Sequence, residues 1–271
     1  MQTILASLFA AAALSISAIE EPETDTPDII LVTTDVDASV ETIEGRNGML
    51  YRAGRVRTNE VLPEGYPRPT APEAIEIKTY PSVRRAVVTS DSGGEASAEM
   101  GQASRSGFWQ LFSHISTNNI AMTAPVEMDY PGMMSLPALE EAQAADSDEG
   151  AEADEAEWAM AFLYRTADLG PTGTFGSVEV YDSEPMTVLA LGVLGDIGRE
   201  SLEKHIERLA DWVAESDEWE LAGPPRTFGY NGPMVAGADR WWEVQLPIQA
   251  VVAGTDGDAD AGEANEATDA E

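Results

Sequence analysis

The chain has 271 residues, a formal charge of −34 and no cysteine. Phosphate binding depends on clustered Lys and Arg, so the charge excludes nucleic acid as a partner and disfavours anionic membranes. Without Cys no disulfide forms, and stability has to come from a core drawn from the 43% hydrophobic residues.

The first segment, Ile4 to Ile16, is apolar and Ala-rich and is followed by the small residues Ser17 and Ala18. This is the pattern of a secretory signal, so residues 1–18 are read as a signal peptide and the mature chain as exported, periplasmic or secreted. No later stretch reaches the roughly 18–20 apolar residues that span a bilayer. Residues 19–72 read as an acidic linker, up to about residue 38, and an extended leader with one or two short strands. Nine of the fifteen basic residues fall between Arg46 and Arg105, against seven acids. That near-neutral island repels an anionic group least; equally, the acids simply concentrate in loops and tails.

From residue 73 to 249 the pattern is that of a folded body. Ala74–Pro81 alternates as a strand and Val83–Val88 follows as a second. A helix is predicted around Gly101–Ile115, then strands over Ile120–Tyr130 and Glu157–Tyr164. Between these last two, residues 137–157 form an insert of Ala, Glu, Asp, Ser and Gly. The same order returns about 104 residues downstream. Strands near Ser177–Tyr181 and Pro185–Leu191 precede a helix from Arg199 to Ser216, and two strands near 219–230 and 241–248 close the unit. Pro81 and Pro185 occupy matching points, a signal of internal repetition. Two β-β-α-β-β units of this kind give one α+β domain, with a cleft between helices and sheet. Residues 250–271 are an acidic tail that, like the insert, buries too little apolar area to offset its ordering entropy.

Three elements in this body resemble the SOUL haem-binding family. The first is Ile75-Glu76-Ile77-Lys78-Thr79-Tyr80. The second is the block running from Phe108-Trp109-Gln110-Leu111-Phe112 to Ile120-Ala121-Met122-Thr123-Ala124-Pro125-Val126. The third is Tyr230-Asn231-Gly232-Pro233 followed by Asp239-Arg240-Trp241-Trp242-Glu243-Val244. The resemblance covers Ala74 to Pro247. It implies a duplicated, distorted antiparallel barrel or sheet with two main helices, as in bacterial effector-binding domains, and a groove for haem or another tetrapyrrole. Some family members carry an axial His in the first strand where this chain has Thr79. The family's double Arg in the last strand is Arg240-Trp241 here, and its Asn is Trp242.

Candidate site residues follow from spacing. Phe108, Leu111, Phe112 and Ile115 share one face of the first helix, which points His114 to solvent or the helix flank as an ordinary surface residue. On the second helix Leu202, Ile206, Leu209 and Val213 make the buried stripe. His205 borders that stripe beside Trp212, which makes it the best available iron ligand. Met122 and Met160 are expected on strands facing the helices, as core or as soft ligands. Arg84 or Arg85 suits a propionate bidentately, or forms surface salt bridges to Glu76 or Glu179. Asp196 and Glu200 sit at a helix start, where carboxylates cap rather than catalyse. Two His without a Glu at metal spacing give no zinc site, and no catalytic constellation is present.

The reading is an exported, monomeric, non-enzymatic SOUL-like protein. Arg84, Arg85, Phe108, Phe112, Met122, Met160 and Trp212 would contact haem or a porphyrin, and His205 would ligate its iron. Two alternatives remain: a scaffold or interaction module whose groove is filled by Trp241 and Trp242, and a groove for another amphipathic small molecule.

Overall fold

The computed structural model describes residues 29–33, 36–90, 100–133 and 158–251, for residues 100–105 the backbone alone. The expected signal peptide, the acidic insert 137–157 and nearly all of the acidic tail lie outside the described residues. In chain order the elements begin with β1 (Ile29–Leu31), β2 (Glu41–Gly45), β3 (Gly48–Ala53) and β4 (Val56–Arg57). There follow β5 (Ile75–Tyr80), β6 (Arg84–Thr89), α1 (Met100–Thr117), β7 (Val126–Asp129), β8 (Ala159–Leu163) and β9 (Gly173–Phe175). The second half holds β10 (Val178–Asp182), β11 (Met186–Leu194), α2 (Arg199–Ala214), β12 (Trp219–Leu221), β13 (Arg226–Gly229) and β14 (Trp241–Ala250).

The duplication is visible in the strand order. The large antiparallel sheet, which does not close, runs β1-β5-β11-β14-β13-β7-β8-β6-β10-β9, with β12 added on β14. Exchanging β5 with β10, β6 with β11, β7 with β13 and β8 with β14 reverses the central eight strands onto themselves. The order is therefore a palindrome about the β7–β13 pair. The halves interlock as well. β5 pairs with β11 of the other half and β6 with β10, so neither half completes a sheet alone. The connections holding Pro81 and Pro185 are the two crossovers that make this exchange.

The two-residue period of a strand then sorts the core into two layers. On β14, Trp242, Val244 and Leu246 face α1 and α2, whereas Trp241, Glu243 and Gln245 face the other side. The helix side is apolar, with Leu111 and Ile115 of α1 and Leu202, Ile206, Leu209 and Val213 of α2 packed on Ile77, Phe162, Leu189 and Leu191. The far side is covered by a strap, residues 58–74, which runs over the sheet after a small three-stranded sheet, β2-β3-β4. The strap crosses β11 at Gly192, where a Cβ would collide with the Ala71 carbonyl. Glu73 N donates to Gly192 O at 2.8 Å, and Gly192 N to Ala74 O at 3.0 Å.

Beneath the strap lies a polar network centred on Glu243, fully buried. Its carboxylate accepts from Lys78 Nζ (2.9 Å), Thr70 N (2.5 Å), Tyr230 OH (2.9 Å), Tyr80 OH (3.1 Å) and Gln245 Nε2 (2.5 Å). Gln245 Oε1 in turn accepts from Arg226, which reaches Glu127 at 3.1 Å, and Arg85 joins Glu127 to Asp129. Burial pushes the Glu243 carboxyl up, but Lys78 and the surrounding donors outweigh it and hold it below the ordinary range.

Four features differ from the sequence reading. Residues 29–31, expected in the linker, pair with β5, and the leader has three strands rather than one or two. The strand expected from Ile120 starts only at Val126, because residues 120–125 leave the sheet to meet the strap, with Ala124 N donating to Val61 O at 2.9 Å and a cis bond before Pro125. Asp196 does not cap α2: Gly198 is the N-cap, Ser201 Oγ accepts from its N–H, and Asp196 pairs with Arg240 instead. His114 is half-buried, 2.9 Å from Tyr164 OH and beside Phe175, and burial lowers its pKa.

Replacing Lys78 leaves Glu243 buried without its cation, a change that costs about 3–5 kcal/mol. In the wild type the lowered Glu243 pKa gives stability that is present above the unfolded carboxylate value and lost as pH falls through the folded one. In Lys78→Met burial instead raises the carboxyl. The destabilisation measured by urea unfolding is thus largest near pH 7 and shrinks toward about pH 5; an equal loss at both contradicts this account.

Candidate functional site

The helix side of the sheet is not packed along its whole length. Beside α1 a cleft of about 670 Å³ remains open, inside the range of about 300–1,000 Å³ typical of small-molecule sites. One wall is α1, which contributes Phe108 and Trp109. Phe108 packs edge-on against Phe162 of β8, with ring centroids 5.1 Å apart. The floor is made by Met128 and Met160, which stand opposite each other in the β7–β8 register. Met122 enters from the loop before β7. The far wall is the turn Tyr230-Asn231-Gly232-Pro233, with Arg240 behind it.

Trp242 completes the floor, and a glycine sets its position. Gly229 is its register partner on β13, and a Cβ there would lie 2.7 Å from the indole ring. Only glycine lets the ring lie down on the sheet instead of standing into the cleft. The Trp242 indole N–H is buried and has no acceptor among the described residues. The turn itself is pinned by Asn231. Its amide donates to Arg57 O (2.8 Å) and Asn59 Oδ1 (2.7 Å), and its oxygen accepts from Trp241 N (2.6 Å).

Charge in the cleft is sparse. Arg240 and Glu60 are the ionic residues among those that line it. Arg240 donates to Val235 O and Pro233 O, both at 3.2 Å, and to Asp196 at 2.9 Å, where its partner is largely solvated. A solvated, exposed partner holds an arginine weakly, so a ligand carboxylate can compete for it. No His lines the cleft.

Of the residues expected at the site, Phe108, Met122 and Met160 are brought together here, and five are placed elsewhere. Phe112 turns outward from α1 and is 40% exposed. Arg84, at the start of β6, is bonded to Asp182 of the neighbouring β10 and to the Gly170 carbonyl. Arg85 points to the strap side, where Asp129 at 2.6 Å and Glu127 at 3.4 Å occupy it. The partners of these arginines are therefore not the expected Glu76 and Glu179. His205 and Trp212 lie on α2, half-buried against the other half of the core; burial lowers the His205 pKa. Trp109, Trp242 and Arg240 were not singled out by helical or strand periodicity. The signal that points to Trp242 and Arg240 is the third motif itself. The second and third motifs, more than a hundred residues apart, form the two sides of one cleft.

The family model for "SOUL heme-binding protein" matches residues 64–247. No curated protein matches the chain in sequence. Among solved structures, the C-terminal domain of EcmrR is similar at 16% identity and a TM-score of 0.41, covering 65% of this chain and 98% of that one. EcmrR in its DNA complex is similar at 14% identity and a TM-score of 0.45, and this chain spans only 57% of it. A conserved protein from Listeria innocua is similar at 12% identity and a TM-score of 0.41, with 66% and 93% of the chains covered. With two thirds of its length matched by one family model, and that model's span containing both walls of the cleft, the chain belongs to the SOUL heme-binding protein family.

Proposed function

We propose that the cleft beside α1 binds haem or another tetrapyrrole reversibly and without covalent attachment, and that the protein is a carrier or sensor of that ligand rather than an enzyme. The observation that carries the reading is the convergence of two family motifs on one open, mostly apolar cleft with a single arginine at its edge. A macrocycle offers a broad apolar face, two carboxylates and, in haem, an iron centre. Phe108, Met122, Met160 and the flat Trp242 ring suit the face, with burial contributing roughly 25 cal/mol per Å² before the costs of association. Arg240 suits a propionate. Its exported location belongs to the same proposal and rests on the apolar run Ile4–Ile16.

The donor set narrows the iron question. With no imidazole in the cleft, Met122, Met128 and Met160 are the soft groups at hand. Tyr230 is engaged by Glu243. The alternative of a groove filled by the chain's own side chains applies to the strap side, where Trp241 is fully buried. On the helix side Trp242 floors the space without filling it.

A haemin titration followed by the Soret band tests this. The wild type is expected to saturate with a shifted band, and His205→Ala to titrate like it. Arg240→Ala loses about tenfold in affinity, the share of one charge-assisted hydrogen bond. Gly229→Ala, folded by circular dichroism, lifts Trp242 into the cleft and weakens binding by about tenfold or more. An unchanged band in the wild type, or loss of binding only in His205→Ala, overturns the assignment.

A further inference from the structure

The surface around the cleft mouth differs from the rest of the protein in charge. Residues 106–126 contain no Asp, Glu, Lys or Arg, and neither do residues 229–238, in a chain where 24% of residues are charged. These two segments are α1 from Ser106 onward with the loop that follows it, and the turn on the opposite side. Large apolar side chains project from both. Trp109 is 59% exposed and Phe112 40%, with rings 5.6 Å apart, and Met234, next to the lining residue Pro233, is 95% exposed. The cations that reach the turn each face an acid, Arg240 facing Asp196 and Arg55 facing Asp239, so they add no net positive charge to the mouth.

Exposing such side chains to water costs free energy, and their common position at the mouth of an apolar cleft calls for an occupant. A second copy of the chain, also at −34, is repelled. Acidic headgroups are repelled for the same reason, and no free Lys or Arg stands among the described residues of these two segments to recruit them. A neutral bilayer requires neither charge nor an extensive complementary surface. Trp, with an apolar body and one N–H, is the side chain that partitions best to a headgroup boundary. We propose that this mouth docks on electrically neutral phospholipid bilayers, with Trp109, Phe112 and Met234 entering the interface. An apolar ligand then passes between bilayer and cleft without crossing water. The transfer role rests on the ligand reading above; the docking does not. No helix among the described residues is long and apolar enough to cross a membrane, so on this proposal the contact is peripheral.

Flotation of the full chain with phosphatidylcholine vesicles is the test, using Phe112→Ser/Met234→Ser, neither residue of which lines the cleft. The wild type is expected to float with these vesicles, and less so at low salt when about one lipid in three is phosphatidylglycerol. The double variant loses about tenfold in vesicle affinity while its haemin titration stays that of the wild type. Failure of the wild type to float, flotation only on anionic vesicles, or equal flotation of the double variant overturns the docking. Self-association abolished by the double variant, without vesicle binding, overturns it in favour of a second copy. Should haemin fail to bind the wild type, the ligand reading falls, and flotation still decides the docking.

Discussion

The carboxylate of Glu243 is held at the centre of the sheet by a lysine, two tyrosines, a glutamine and a backbone amide of the strap. A charge in that position is tolerated only because every neighbour donates to it. The consequence is positional: β5 supplies Lys78 and Tyr80, the segment after β13 supplies Tyr230, and the strap supplies Thr70. One buried anion therefore fixes the spacing between both halves and their cover. Trp241 Nε1 donating to Thr70 O at 2.8 Å locks the strap from the neighbouring position.

That constraint decides which side of a nearly symmetric fold stays open. The strap fills one face, and among the described residues the open cleft lies on the helix face, with Asn59 and Glu60 at the start of the strap on its rim. There the two halves differ in their side chains. The α2 half packs Trp212 and Trp219 against the core, whereas the α1 half leaves a space between Phe108 and Trp242. The alternation of β14 couples these outcomes. Because Trp241 and Glu243 must face the strap, Trp242 must face the cleft, and Gly229 lets it lie flat.

Much of this was legible in the sequence because it depends on period and order. The two helices, the strand pairs and the repeat follow from alternation around Ile75–Tyr80 and Ser177–Tyr181 and from the i, i+3, i+4 stripes. The crossing of halves was not, since nothing local distinguishes β5 pairing with β6 from β5 pairing with β11. The site was only partly legible. Phe108 and Met160 are where the face arguments put them, but Arg84 and Arg85 are claimed by Asp182, Glu127 and Asp129, acids distant in sequence. His205 has the right chemistry on the wrong helix for this cleft. Leu111 and Ile115 bury the helix face so fully that Phe112 is left outside. Arg240 and Trp242 could be found only through the motif, because their neighbours Asn231 and Gly229 act through three-dimensional contact.

The central claim is that a planar apolar guest sits between α1, the Tyr230–Pro233 turn and Trp242. Methionine-methyl NMR of the full chain, with gallium protoporphyrin added, addresses it most directly. The account predicts shifts confined to Met122, Met128 and Met160 among the described methionines near the core, with the His205 ring signals unmoved. Shifts at His205 with those three methyl groups unaffected would contradict it.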